Sequence, residues 1–286
     1  MSGSGSWKVG ILIAAVAAGC AKPPPEAPKE LGDLGLFLFK HFEDEDPAEM
    51  AVGLQNLKSQ IKSTDFTADP KDIAVTMPIL QGDDLGGLEI PAGISADAQI
   101  PIALAGQSVH AIGKQDVLAL EPNQVCIESE STVWAHREFL SDTGCFEDGS
   151  CDRLEVKQEV RKENFLAKVW FDQYKNYRWF ELEDEDGNVT RALVGRSWID
   201  QQFMADGGNN SWDQLFHIDA YIEDGGKTLR WFSMWSSVTL GGVGDDLYGS
   251  LVIDGIGEAL VFGDEFIAGN VETCKNDRNA EKPARE

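Results

Sequence analysis

Positive charge is what this chain has least of. Its 24 Lys and Arg stand against 49 Asp and Glu, for a net charge of −25. A surface of that sign repels phosphate backbones, so nucleic acid is excluded as a partner. It also repels anionic headgroups, so any membrane attachment has to come through something other than charge. No run reaches the twenty or so apolar residues that a helix needs to cross a bilayer. Histidines are few, namely His41, His110, His136 and His217. None forms a zincin helix motif, and there is no G-x-S-x-G elbow, Walker loop or Rossmann fingerprint after a strand. The sequence therefore names no metal, no cofactor and no catalytic motif. The acidic run Asp184-Glu185-Asp186-Gly187-Asn188 lacks the twelve-residue ligand spacing of a calcium loop and reads as a hairpin turn.

What is present begins with an address. Lys8 precedes an apolar run over residues 9–18, followed by Gly19, Cys20 and then Ala21-Lys22-Pro23-Pro24-Pro25. A short basic end, about ten apolar residues and small residues before a cysteine form the layout of a removed signal. The four residues Ala17-Ala18-Gly19-Cys20 resemble the lipobox of bacterial lipoprotein precursors, although Ala17 stands where Leu is usual. The resemblance implies that Cys20 carries a diacylglycerol and becomes the first residue after cleavage. It also implies an exported chain. Because Ala21 rather than Asp follows the cysteine, it points to the outer membrane, on its periplasmic or surface face. Removal of residues 1–19 leaves 267 residues and takes the charge to −26.

Residues 20–30 form a Pro-rich tether that favours extended polyproline geometry. Residues 31–65 read as a helical hairpin. Leu31, Leu34, Phe37, Leu38 and Phe42 recur at helical spacing, Asp46-Pro47-Ala48-Glu49 signals a helix start, and Met50, Leu54, Leu57 and Ile61 follow. Its apolar stripe is expected to pack on the chain's own sheet. Residues 66–270 read as an antiparallel β domain, with weaker strands over 66–150 and a stronger meander over 151–270. Candidate strands in the weaker part are 73–77, 88–90, 100–104, 117–120, 125–128 and 131–140. In the stronger part they are 154–160, possible extension 165–171, then 177–183, 189–199, 212–222, 229–240, 247–253 and 258–266. Asp186-Gly187 and Asp224-Gly225-Gly226 mark hairpins. The fold class is mainly β, a meander closing into a β-sandwich or barrel beside the N-terminal helices. Residues 271–286 read as a polar tail.

Setting Cys20 aside leaves four cysteines, an even set for an oxidising compartment. Cys145 and Cys151 bracket a short acidic turn and are expected to pair, which leaves Cys126 with Cys274. Their spacing lacks the paired C-x₂-C units of a zinc module.

Strand alternation supplies the candidate site. Arg196, Trp198 and Asp200 share a face of one strand, and His217, Asp219 and Tyr221 share a face of the next. In the last strand Trp231 and Trp235 face one way while Arg230, Phe232 and Met234 face the other. Neither face can be left to water. One reading is a cavity walled by Arg196, Trp198, Asp200, His217, Asp219, Tyr221, Trp231 and Trp235, suited to an amphiphile or glycan. The other is a packed core with the helical hairpin on one side. Three functions follow: a non-catalytic module binding an amphiphile, a glycan or an envelope protein; a glycan hydrolase using two of Asp200, Asp213, Asp219 and Glu223; or a structural spacer. Mass spectrometry of the membrane-extracted protein is expected to find diacylglycerol on Cys20, and an unmodified Cys20 would sink the lipoprotein expectation.

Overall fold

The computed structural model describes residues 25–269 and 282–284, apart from 166, 185, 242 and 243. The expected signal peptide, Cys20, Cys274 and most of the polar tail lie outside the described residues.

The hairpin forms as its spacing requires. Helix α1 spans Leu31–His41 and α2 spans Ala48–Ile61. Asp46 caps the turn, its carboxylate accepting from the Ala48 N–H at 3.1 Å. The Glu49 carboxylate lies 2.7 Å from His41 Nδ1. The apolar stripe of both helices is buried, with Leu34, Leu38, Phe39, Phe42, Leu54 and Leu57 all fully enclosed.

They cover one antiparallel sheet of nine strands. These are β1 (Val75–Thr76), β2 (Ile100–Ser108), β3 (Thr132–Phe139), β4 (Arg153–Glu163), β5 (Lys168–Glu183), β6 (Val189–Trp198), β7 (Phe203–Met204), β8 (Ser211–Asp224) and β9 (Lys227–Thr239). Their order is β1-β2-β9-β8-β6-β5-β4-β3, with β7 paired to β8. The long central strands are joined as a meander, and the two-residue Gly225-Gly226 turn between β8 and β9 uses positive φ at both positions. The meander and the hairpin follow the sequence reading. The closure does not: the sheet is open, and helices rather than a second sheet cover its faces.

The principal misread element is the last one. Residues 247–253 and 258–266 are not strands; they lie in one helix, α6, of 23 residues, Asp245–Ile267. Its glycines resemble turn signals, but Tyr248, Val252 and Ile256 recur every four residues and face the sheet together. Gly249 lies over β2, where a Cβ would make ordinary contact with Ile102 at 3.4 Å. Three short helices complete the chain: α3 (Pro70–Ile73), α4 (Asp116–Leu120) and α5 (Thr143–Glu147). The expected strand 117–120 is therefore helical, as is 125–128 in part, where Gln124–Cys126 forms one tight turn. Residues 88–90 join no strand, and 73–77 contributes only β1. Residues 165–171 hold a turn and the start of β5, so they extend no earlier strand.

Cys145 and Cys151 are bonded, as their spacing suggested. Cys126 is also disulfide-bonded.

The two sheet faces have different covers. On one, Phe39 of α1 lies against Phe216 and Trp235, with ring centroids 5.9 and 5.5 Å apart. Gly35 seats α1 directly over Ser233. Truncating Phe39→Ala removes the ring joining hairpin to sheet. It is expected to cost about 3–5 kcal/mol and to lower Tm by roughly 10 °C, as measured by calorimetry.

Candidate functional site

The opposite face carries a cavity of about 340 Å³ between the sheet and α6. Its walls follow strand alternation. From β5 come Val169, Phe171, Gln173, Lys175 and Tyr177; from β8, Leu215, His217 and Tyr221; from β9, Arg230, Phe232, Met234 and Val238. Helix α6 closes it with Tyr248, Leu251, Val252, Ile256 and Ala259. The cavity reaches exposed Asn164 at the β4–β5 turn, exposed Glu130 beside α6 and exposed Asp254 on α6.

Two pins hold α6 over the sheet. At its start Tyr248 donates to Ser236 Oγ at 2.8 Å. Towards its end Asp264 pairs with the Arg230 guanidinium at 2.8 Å, and Ser108 donates to the same carboxylate at 2.6 Å. Arg230 also donates to the Leu260 carbonyl and to Gln115, so a buried charge is neutralised and hydrogen-bonded.

Polarity changes along the cavity. Val169, Phe171, Leu215 and Met234 line one end; Lys175, Tyr177, His217 and Tyr221 line the other. Lys175 Nζ lies 3.3 Å from each oxygen of Asp219, which is fully buried. Only glycine at position 195 leaves room for that carboxylate, since a Cβ there would lie 2.4 Å from Asp219 Oδ1. Burial pulls the Lys175 ammonium down, but Asp219 outweighs it and leaves the lysine above its ordinary value. Burial likewise pushes Glu128 up, while Lys162, Lys175 and Arg137 together hold it below the carboxylate range. His217 is different: burial takes it down to about 4 against the pull of Asp219. Its Nδ1 lies 3.3 Å from Ser197 Oγ, which in turn accepts from Gln173 at 3.0 Å. Burial, followed by Asp219, raises Tyr221 well above its usual range. Arg137 donates to Tyr177 Oη at 2.6 Å, to the Leu118 and Ala119 carbonyls, and to Gln158.

The sequence-predicted residues are split between the two faces. His217 and Tyr221 line the cavity, and Asp219 lies beneath them. Arg196, Trp198, Trp231 and Trp235 do not line it; they belong to the face under the hairpin. There Trp231 and Trp235 are fully buried, and Trp235 Nε1 donates to the Pro78 carbonyl at 2.8 Å. The Arg196 guanidinium stacks on Phe39 at 4.4 Å and donates to the Leu85 and Gly86 carbonyls. Burial takes Arg196 down to about 10 despite Glu43 nearby. Trp198 stacks on Tyr174 on the same side, and Asp200 is exposed beyond β6. Of the four carboxylates considered for hydrolysis, only Asp219 adjoins the cavity. Asp213 accepts from Gln202 and Thr239, and Glu223 accepts from the Arg191 backbone. Lys175, Tyr177, Arg137 and α6 went unread. The signal for Lys175 was a charged residue on the inward face of a long strand, between Phe171 and Tyr177.

Among the described residues one cluster has metal-ligand chemistry, His41 with Asp44 and Glu49; it lies in the hairpin turn, on the other face of the sheet. No described helix is long and apolar enough to cross a membrane.

His217 gives the site a pH signature. Between about 6.5 and about 4 the unfolded chain binds a proton that the folded chain refuses, so this group costs stability as pH falls through that window. The full effect is about 3 kcal/mol. Urea unfolding at about pH 7 and about pH 4.5 is expected to show a loss roughly 2 kcal/mol smaller in His217→Gln than in the wild type.

No protein-family model matches the chain, and no curated protein matches it. Solved structures with partial likeness include TTHA0849 from Thermus thermophilus, at TM-score 0.39 and 12% identity over 60% of this chain and 99% of that one. A STAR-related lipid transfer protein from Xanthomonas axonopodis has TM-score 0.39 and 12% identity, over 59% of this chain and 85% of its own. The lipid transfer and protein localization domain of human StarD13 has TM-score 0.35 and 11% identity, over 75% and 95%. Likeness of this degree says nothing about what this chain binds, and the cavity alone bears on that.

Proposed function

We propose that the protein is a non-catalytic amphiphile-binding module, exported and held at the outer membrane by acyl chains on Cys20. The observation that carries the binding reading is the polarity gradient along the cavity: an apolar end, and a buried end with charged and hydroxyl side chains. A purely apolar ligand would leave the polar end unmatched, and a free glycan would leave Phe171, Leu215 and Met234 against hydroxyls. A molecule polar at one end and apolar at the other suits both. The volume lies near the lower limit of the ~300–1,000 Å³ usual for small-molecule sites, which suits one chain or one ring system rather than a two-chain lipid. Exposed Phe165 beside Asn164 places apolar surface where such a chain would leave the cavity. The export reading rests on the run from Lys8 to Cys20 and the tether after it.

Ala259 lines the cavity from α6. Ala259→Trp is expected to fill part of the space and to weaken an environment-sensitive anilinonaphthalene probe at least about tenfold, with circular dichroism unchanged. Equal probe binding by the two proteins, or none by the wild type, would overturn the binding reading.

A further inference from the structure

The charges around the polar end of the cavity answer one another. Lys175 pairs with Asp219 at 3.3 Å, Lys162 with Glu128 at 3.5 Å, and Arg230 with Asp264 at 2.8 Å. Half-buried Arg137 acts on Glu128 as well. Glu130 and Glu258 line the same cavity, and among the described residues no cation pairs with either. The lining therefore has no positive charge to spare. A carboxylate brought into it would be desolvated without a counter-charge, and an ammonium would meet Lys175 at the polar end.

Uncharged donors are what remains. Tyr177 is buried and lines the cavity; its Oη accepts from Arg137 at 2.6 Å, and among the described residues none accepts the Tyr177 proton. His217 supplies a second donor, and its neighbour Ser197 fixes which nitrogen carries it. Ser197 is fully buried; its Oγ accepts from Gln173 at 3.0 Å and lies 3.3 Å from His217 Nδ1. Among the described residues Nδ1 is the one acceptor within reach of the Ser197 proton. Nδ1 therefore accepts, and the ring proton sits on Nε2. Asp219 Oδ1, at 3.9 Å, is too far from Nδ1 to take a proton from it. Burial takes His217 down to about 4, so the ring is uncharged at neutral pH. Its Nε2–H has no partner among the described residues and is left to the cavity that the ring lines.

Resting on the amphiphile reading, we infer that the ligand's head is an uncharged hydrogen-bond acceptor, a carbonyl or hydroxyl oxygen, held by Tyr177 and His217. That oxygen takes the Tyr177 O–H and the His217 Nε2–H, and it leaves the ion pairs around it undisturbed. The alkyl chain then runs along Phe171, Leu215 and Met234 towards the β4–β5 turn.

The test is calorimetric titration of the full chain, at neutral pH, with tetradecan-2-one, tetradecan-2-ol, tetradecanoate and tetradecylammonium. Each uncharged ligand is expected to bind at least about tenfold tighter than either ion. The bound ketone also reports on the donors. Its infrared carbonyl stretch is expected to lie below its position in hexane, and to move back towards it in Tyr177→Phe and in His217→Leu. Each variant is expected to weaken ketone binding about three- to tenfold. The wild-type ranking and stretch stand as tests by themselves if a variant does not fold. Either ion bound as tightly as the ketone, or a wild-type stretch at its hexane position, would overturn the head assignment while leaving the amphiphile reading intact. Affinity and stretch unchanged in both folded variants would overturn it too. Binding of none of the four would remove both.

Discussion

Period-two alternation along β9 is the constraint from which the rest of the structure follows. Trp231 and Trp235 face one side of the sheet; Arg230, Phe232 and Met234 face the other. Neither set can be left to water, so the sheet needs a cover on each face. The helical hairpin fits closely over the tryptophans, where Gly35 and Phe39 bring α1 onto the strands. Helix α6 covers the second face differently. It is tied to Ser236 at one end and to Arg230 and Ser108 at the other, and between those ties it packs on β2 while leaving space over β5 and β8. One cover makes a core and the other makes a cavity.

The cavity's chemistry has the same origin. Lys175, Asp219 and His217 sit on strand positions that point under α6, so they are desolvated by the same helix that makes the space. Desolvation alone would discharge them. Asp219 keeps Lys175 charged, Lys162 with its neighbours keeps Glu128 ionised, and His217 gives up its proton instead. A buried polar cluster of this kind is a weak source of stability, because a well-packed apolar end would serve the fold at least as well. Its presence opposite an apolar end is what gives the site a direction.

Much of this was legible in the residues. The hairpin's stripe, the Asp224-Gly225-Gly226 turn, the Cys145–Cys151 loop and the two-sided character of β9 all follow from local rules. Which face held the cavity did not follow. Tryptophans suggested a binding wall, yet the bulkiest rings fill the tight face, and the open face carries Lys, Arg and Met. That the sheet stays open was equally hidden, because its second cover is α6. That helix reads as strands and turns until its Tyr248, Val252 and Ile256 spacing is set against glycines that lie within the helix rather than at chain reversals. Gly195 is similar: in sequence it is a weak point in a strand, and in the structure it is the space for the Asp219 carboxylate.

The account's central claim is that an amphiphile lies in this cavity with its polar head at Lys175 and its chain towards the β4–β5 turn. Isotope-filtered NMR on tetradecan-2-one, labelled at the methyl group far from its carbonyl, tests it directly. The account predicts contacts from that methyl to the side chains of Phe171, Leu215 or Met234. Contacts to Tyr177 and Tyr221 instead, or no intermolecular contacts at saturating ligand, would contradict it.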